Sequence, residues 1–177
     1  MILNDIYRPA LLLACLSLLC ACGRTTPAPD PAQGIETARR NAEALHATLS
    51  ALPPACTLGT AAQAPQGSWL NAPKAMPEPG HPYTFVELFE APATAGAVRA
   101  ALNRAALAAL DKVEIRDAEG KWSELAPVGV HEAPAGCDYV WLQQDLGGAR
   151  QVAALRYTFR RSDDAVSLAD AAIFKSN

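Results

Sequence analysis

The sequence predicts a mainly β, antiparallel protein with one helix ahead of its strands. Two observations carry this. From Tyr83 onward, short segments rich in aromatic and β-branched residues alternate with Gly-, Asp- and Ser-containing turns. Before them, Ile35 to Leu52 places Ile35, Ala38, Ala42, Leu45, Leu49 and Leu52 on one face at helical spacing. The 177 residues suffice for one domain and a short appendage. Half the residues are hydrophobic and the net charge is −3, which excludes a disordered polyelectrolyte. With no basic excess and no Lys/Arg run, a nucleic-acid partner is not expected.

Residues 1–21 read as an export signal. The apolar run from Ala10 to Ala21 is too short to span a bilayer as a helix, and a Pro-rich polar stretch follows it at once. Its end, Leu19-Cys20-Ala21-Cys22, resembles the lipobox of bacterial lipoproteins: Leu at −3, a small residue at −1, then the acceptor thiol. The resemblance implies a diacylglyceryl group on Cys22 and cleavage before it. Leu12-Leu13-Ala14-Cys15 also fits the pattern but would leave too short an apolar core, and Cys20 has Leu19 at −1 and fits poorly. Gly23, rather than Asp, follows the acceptor; by resemblance to enterobacterial sorting this favours the outer membrane. The expected localisation is therefore the cell envelope, lipid-anchored, with the domain facing the periplasm.

Residues 22–34 are expected to form a tether. Pro27, Pro29 and Pro31 favour an extended chain, which at about 3.1 Å per residue reaches about 30 Å. Residues 35–54 hold the helix, stopped by Pro53-Pro54. His46, beside its apolar face, is read as a packing edge. Residues 55–177 form the β domain. The stretch from Pro53 to Pro82, which leads into it, contains seven prolines and no expected long helix or central strand; Trp69 and Leu70 read as a short strand or as plugs.

The strands follow. Tyr83 to Glu90 is one. Lys112 to Arg116 and Lys121 to Leu125 flank the turn Asp117-Ala118-Glu119-Gly120, so they form a hairpin with Val113 and Ile115 inward and Glu114 and Arg116 in water. Asp138 to Gln143 is a strand that ends in a turn at Leu146-Gly147-Gly148-Ala149. In Gln151 to Arg160, Leu155, Tyr157 and Phe159 face one way and Arg156, Thr158 and Arg160 the other. Ala165 to Phe174 closes the domain. Ala97 to Leu110 is the exception: its alanines give high helix propensity, so it is expected to be a helical insertion, with alanine-rich strands as the alternative.

Cys15, Cys20 and Cys22 lie in the signal, leaving Cys56 and Cys137. One pair in an exported chain reads as a disulfide, closing a loop worth about 4.5 kcal/mol in the chain-entropy account. The competing reading, a nucleophilic Cys137 with His131 as base, requires a free thiol in an oxidising compartment.

Three pieces resemble the galactose-binding-like, or discoidin-type, fold. These are Val86-Glu87-Leu88-Phe89-Glu90 with Gly96-Ala97-Val98, the segment Val113 to Trp122, and the closing Ala169-Asp170-Ala171-Ala172-Ile173-Phe174. The resemblance spans about residues 83–174 and implies an antiparallel, jelly-roll-like β-sandwich with a tendency towards recognition. Ala100 to Leu110 departs from the pattern. No ligand motif of that family maps onto individual residues here.

Catalytic signatures are sparse. Gly-x-Ser-x-Gly and His-Glu-x-x-His are absent, and His131-Glu132 runs into Pro134. His46, His81 and His131 are scattered through different elements, and Asp163-Asp164 reads as a solvated turn before it reads as a calcium ligand pair. No metal or other cofactor is expected. Trp122 and Trp141 lie in strands and are expected to be core; Trp69 is the candidate binding aromatic. The expected function is a non-catalytic binding or assembly module with an envelope protein or glycan as partner. A hydrolase with an unrecognised site and a structural accessory lipoprotein are the alternatives.

Overall fold

The computed structural model describes residues 31–60, 67–125 and 132–176. The expected signal, Cys22, residues 22–30 of the tether, and His131 lie outside the described residues.

Helix α1 spans Pro31–Ser50, beginning four residues before Ile35. Residues 31–34, expected as the end of the tether, are therefore helical. A proline in the first turn sacrifices no intrahelical hydrogen bond, because the first N–H groups of a helix have no partner within it. Over residues 31–42, Glu36 pairs with Arg39 at 2.7 Å and with Arg40 at 3.3 Å. From Glu43 the chain belongs to the β domain. There Leu49 is 1% exposed, and a 3₁₀ turn at Pro54–Cys56 follows the helix.

The domain is an eight-stranded, mainly antiparallel sheet, sandwich-like in that one core draws on both of its ends. The strands are β1 (Thr57–Gly59), β2 (Gly67–Asn71), β3 (Lys74–Glu78), β4 (His81–Asn103), β5 (Leu110–Arg116), β6 (Trp122–Glu124), β7 (Tyr139–Phe159) and β8 (Leu168–Ser176). β structure thus starts well before Tyr83. Pro77 is accommodated because, among the described residues, β3 pairs only with β4, and its register shifts at Pro77/Glu78.

β4 and β7 pair along most of their lengths and are shared by both ends of the sheet. At one end, Thr84–Leu88 of β4 and Ala154–Thr158 of β7 are flanked by β3 and by β5 with β6. At the other, Ala93–Asn103 and Tyr139–Val152 are flanked by β8 with β2 and by β1, the last a parallel pair with β7. Each long strand bulges once. β4 advances from Leu88 to Ala93 while β7 passes only from Ala154 to Val152; β7 then runs from Arg150 to Asp145 against Ala95 to Ala97. The turn residues at Gly147-Gly148, both at positive φ, therefore serve a bulge in a continuous strand and not a chain reversal.

The alanine-rich segment is mostly strand. Residues 97–103 belong to β4, and helix α2 is confined to Arg104–Ala109. Pairing on both sides, with β7 and β8, overrides alanine's helix propensity up to Asn103. Asn103 then caps α2, its Oδ1 accepting from Ala106 N at 2.8 Å. Leu107 of α2 is fully buried.

The core cluster combines Val98, Ala100 and Leu102 of β4 with Val140, Leu142, Leu155, Tyr157 and Phe159 of β7, Val113 and Ile115 of β5 and Ile173 of β8. The hairpin register is as expected for Val113 and Ile115, with Glu114 paired to Glu124 and Arg116 to Trp122. Glu114, expected in water, is instead buried beneath partners on the outer face. Cys56 and Cys137 form the disulfide, joining the 3₁₀ turn to the segment before β7. Among the described residues no helix is long and apolar enough to cross a membrane.

Candidate functional site

The outer face of the β2–β8–β4–β7 end carries an arginine between two tryptophans. Strand alternation puts Ala97, Arg99 and Ala101 of β4 on this face, opposite the one that presents Val98, Ala100 and Leu102 to the core. Across the sheet, Arg99 pairs with Ala172 of β8 and Gln143 of β7; Trp141 pairs with Ala101; Trp69 of β2 pairs with Phe174 of β8. The small residues Ala97, Ala101 and Ala172 make a floor with no exposed surface. Their size leaves room for the three large side chains to lie across it.

The Arg99 guanidinium lies 4.3 Å from the ring centroid of Trp69 and 4.3 Å from that of Trp141. Both rings are held from behind. Trp69 meets Phe174 edge-on at 5.3 Å, and Trp141 Nε1 donates to Leu49 O at 3.2 Å in the last turn of α1. All three side chains remain partly exposed. Burial lowers the Arg99 pKa, while the nearby Asp170 carboxylate acts in the opposite direction. Arg99 Nε is buried without a hydrogen-bond partner among the described residues.

Asp170 sits at a register shift between β4 and β8 and is the one non-glycine residue at positive φ (47°) among those described. Its Oδ2 lies 3.0 Å from Nδ1 of the exposed His46 on α1. His46 is thus tied to the sheet by a polar contact; it is not an apolar packing edge.

A second arginine–tryptophan stack lies at the other end. Arg156 lies 4.2 Å from the Trp122 centroid and Arg116 lies 5.6 Å from it. Here the stacked Arg156 is paired with carboxylates. Arg156 Nε and Nη2 donate to the two oxygens of Glu114 at 2.7 and 2.9 Å, Glu78 stands 3.6 Å from Arg156 Nη1, and Lys112 Nζ is 3.2 Å from Glu114. The Arg156 hydrogen bonds hold the Glu114 carboxyl below its ordinary range despite burial. Trp122 and Trp141, expected as core residues, are therefore half-buried cation platforms on outer faces.

Where β4 bulges, a cleft of about 370 Å³ opens between Leu70, Pro73, Phe89, Pro92 and Lys175. Glu87 is buried in the core and burial alone pushes its pKa up to about 7. The neighbouring Tyr157 hydroxyl is also buried and has no hydrogen-bond partner among the described residues.

Of the sequence-selected residues, Trp69 belongs to the first stack, in strand β2, the short-strand reading of Trp69 and Leu70. Cys56 and Cys137 are covalently paired, which removes Cys137 as a nucleophile. Asp163 and Asp164 lie exposed in a bend, and His81 lies exposed at the start of β4. No group of three or more His, Cys, Asp or Glu side chains able to hold a metal occurs among the described residues. Arg99 was missed because its segment was read as helix. The signal was there: read as a strand, Ala97-Val98-Arg99-Ala100-Ala101-Leu102 carries one charged residue, on the face opposite the large aliphatics. No protein-family model, curated protein or solved structure matches the chain.

Proposed function

We propose that the chain is a lipid-anchored cell-envelope protein whose β domain is a non-catalytic binding or assembly module. The recognition face is the outer surface bearing Trp69, Arg99 and Trp141, and the partner is another envelope protein or a glycan. The observation that carries this reading is the partly exposed stack itself, with its guanidinium 4.3 Å from two ring centroids. Aromatic rings and arginine are the side chains most enriched at binding hot spots, and rings seated on a sheet lose little conformational entropy on binding. The lipobox-like Leu19-Cys20-Ala21-Cys22 and the prolines after it support an anchored domain, whose raised effective concentration compensates for weak intrinsic affinity. The disulfide is in keeping with an oxidising compartment. The galactose-binding-like resemblance of residues 83–174 points the same way, towards recognition and not turnover.

The test is photo-crosslinking in intact cells from a crosslinker placed at Trp69. A discrete adduct is expected, weakened by Trp141→Ala and, through lost anchoring, by Cys22→Ser. The same full-length protein, offered model ester, peptide and glycoside substrates, should turn over none of them. A reaction abolished by one side-chain replacement in a folded variant would overturn the non-catalytic reading, and absence of any adduct would overturn the recognition face.

A further inference from the structure

The two arginine–tryptophan stacks are an internal comparison. Each cation lies over indole rings at close to 4 Å, so both gain the same kind of face-on electrostatic attraction. They differ in what happens in the guanidinium plane. An arginine carries five N–H donors, all in that plane, and a ring lying over its face accepts none of them in a directed way. Arg156 directs its plane at carboxylates: two parallel hydrogen bonds to Glu114 and an ion pair with Glu78 at 3.6 Å. That stack is a closed structural unit.

Arg99 leaves its plane unused. Among the described residues its guanidinium has no hydrogen-bond acceptor and no ion pair. Asp170 is near enough to act on it through space, but the contact it makes is with His46, at 3.0 Å. A half-buried guanidinium with vacant in-plane donors is costly, because desolvation is not repaid by directed hydrogen bonds. The surrounding construction nevertheless fixes that group in position. Alanines at 97, 101 and 172 clear the floor, Phe174 backs Trp69, and the Leu49 carbonyl orients Trp141. Nε is buried, so the terminal Nη edge is the one left for a ligand. Two parallel N–H groups on that edge match an oxyanion with two oxygens in one plane.

We infer that the Arg99 edge, framed by Trp69 and Trp141, is a binding site for an oxyanion, the carboxylate or phosphate group of an envelope ligand. The inference rests on the recognition face proposed above and specifies what that face takes. The indoles, each with its centroid 4.3 Å from the guanidinium carbon, offer apolar rims to whatever carries the anionic group. Asp170 sets the affinity downward, because its negative charge opposes an incoming anion.

The experiment titrates the full-length protein, in detergent, with three probes: glucuronate for a carboxylate, inorganic phosphate for a phosphate, and glucose as the neutral control. Calorimetry and tryptophan fluorescence are read together. Saturable binding of glucuronate or phosphate, but not of glucose, is expected, and the stronger anion identifies the source. Arg99→Gln should weaken it by about tenfold or more, and Arg99→Lys, which keeps the charge but loses the planar edge, should not restore it. Asp170→Asn should tighten binding several-fold, since asparagine also tolerates positive φ. Arg116→Gln, at the other stack, should leave it unchanged. Should Arg99→Gln fail to fold, the Asp170→Asn gain and the Trp fluorescence response still decide. Absence of saturable anion binding, or equal binding by folded Arg99→Gln, overturns the inference. If a cellular adduct at Trp69 persists in that case, the recognition face stands and only its oxyanion chemistry fails; if the adduct is missing too, both fail.

Discussion

Glu87 lies opposite Leu155 on the core side of the β4–β7 pair, 3% exposed, near the unpartnered Tyr157 hydroxyl. Burial disfavours its charged form, which is why its pKa rises to about 7 from the ordinary value of 4.5. The consequence for stability has a definite sign. Below about pH 4.5 the side chain is protonated in both folded and unfolded chains and has no effect. As pH rises from about 4.5 to about 7 the unfolded chain releases the proton while the folded one keeps it, so stability falls across that window and levels off above it. Glu87→Gln, which cannot ionise, should therefore gain on the parent by up to about 3 kcal/mol between pH 5 and pH 8. Urea unfolding of both proteins at the two pH values measures this; parallel pH profiles would contradict it. Nothing in the alternation of Tyr83 to Glu90 distinguishes Glu87 from an exposed strand glutamate. Its burial depends on β7 lying opposite, some seventy residues away in the chain.

At the level of elements, local chemistry made much of the fold legible. Asp117 and Gly120 announce the β5–β6 hairpin, and the structure closes it with Lys121 N donating to Asp117 Oδ1 at 2.7 Å. Leu155, Tyr157 and Phe159 alternate inward as their spacing requires. What local windows cannot convey is the partner. Residues 97–103 become strand because β7 and β8 pair with them, and Glu114 leaves water because Arg156 reaches it from another strand. Trp141 likewise looks like a core residue until its place on the outer face is known. The three-residue β1 depends on a single glycine. Gly59 ends β1 at φ 97°, and a Cβ there would fall onto the backbone carbonyl of Gln143. Gly120 has a similar φ of 87°, but a Cβ there meets nothing within 4 Å. Gly120→Ala should thus cost only the left-handed backbone term, about 1–2 kcal/mol. Gly59→Ala should add the displacement of β1 from β7 and cost about 3 kcal/mol or more. Denaturant midpoints of the two variants compare these directly; equal losses would show that β1 yields freely.

For the molecule as a whole, the disulfide encloses β1 to β6 and α2 in one covalent loop, from Cys56 to Cys137. Cys56→Ser with Cys137→Ser should lower stability by about 2–5 kcal/mol, read from thermal unfolding without reductant; an unchanged transition would place the fold's stability elsewhere. The loop also determines how the chain bears tension. A pull between its two ends runs along α1 to Cys56, crosses the sulfur bridge to Cys137, and continues through β7 and β8. Residues 57–136 lie off that path. Trp69 and Arg99 sit in the unloaded part, so traction on the amino-terminal side stretches neither of their strands directly; of the face, Trp141, in β7 and bonded to Leu49 of α1, is the member on the loaded path.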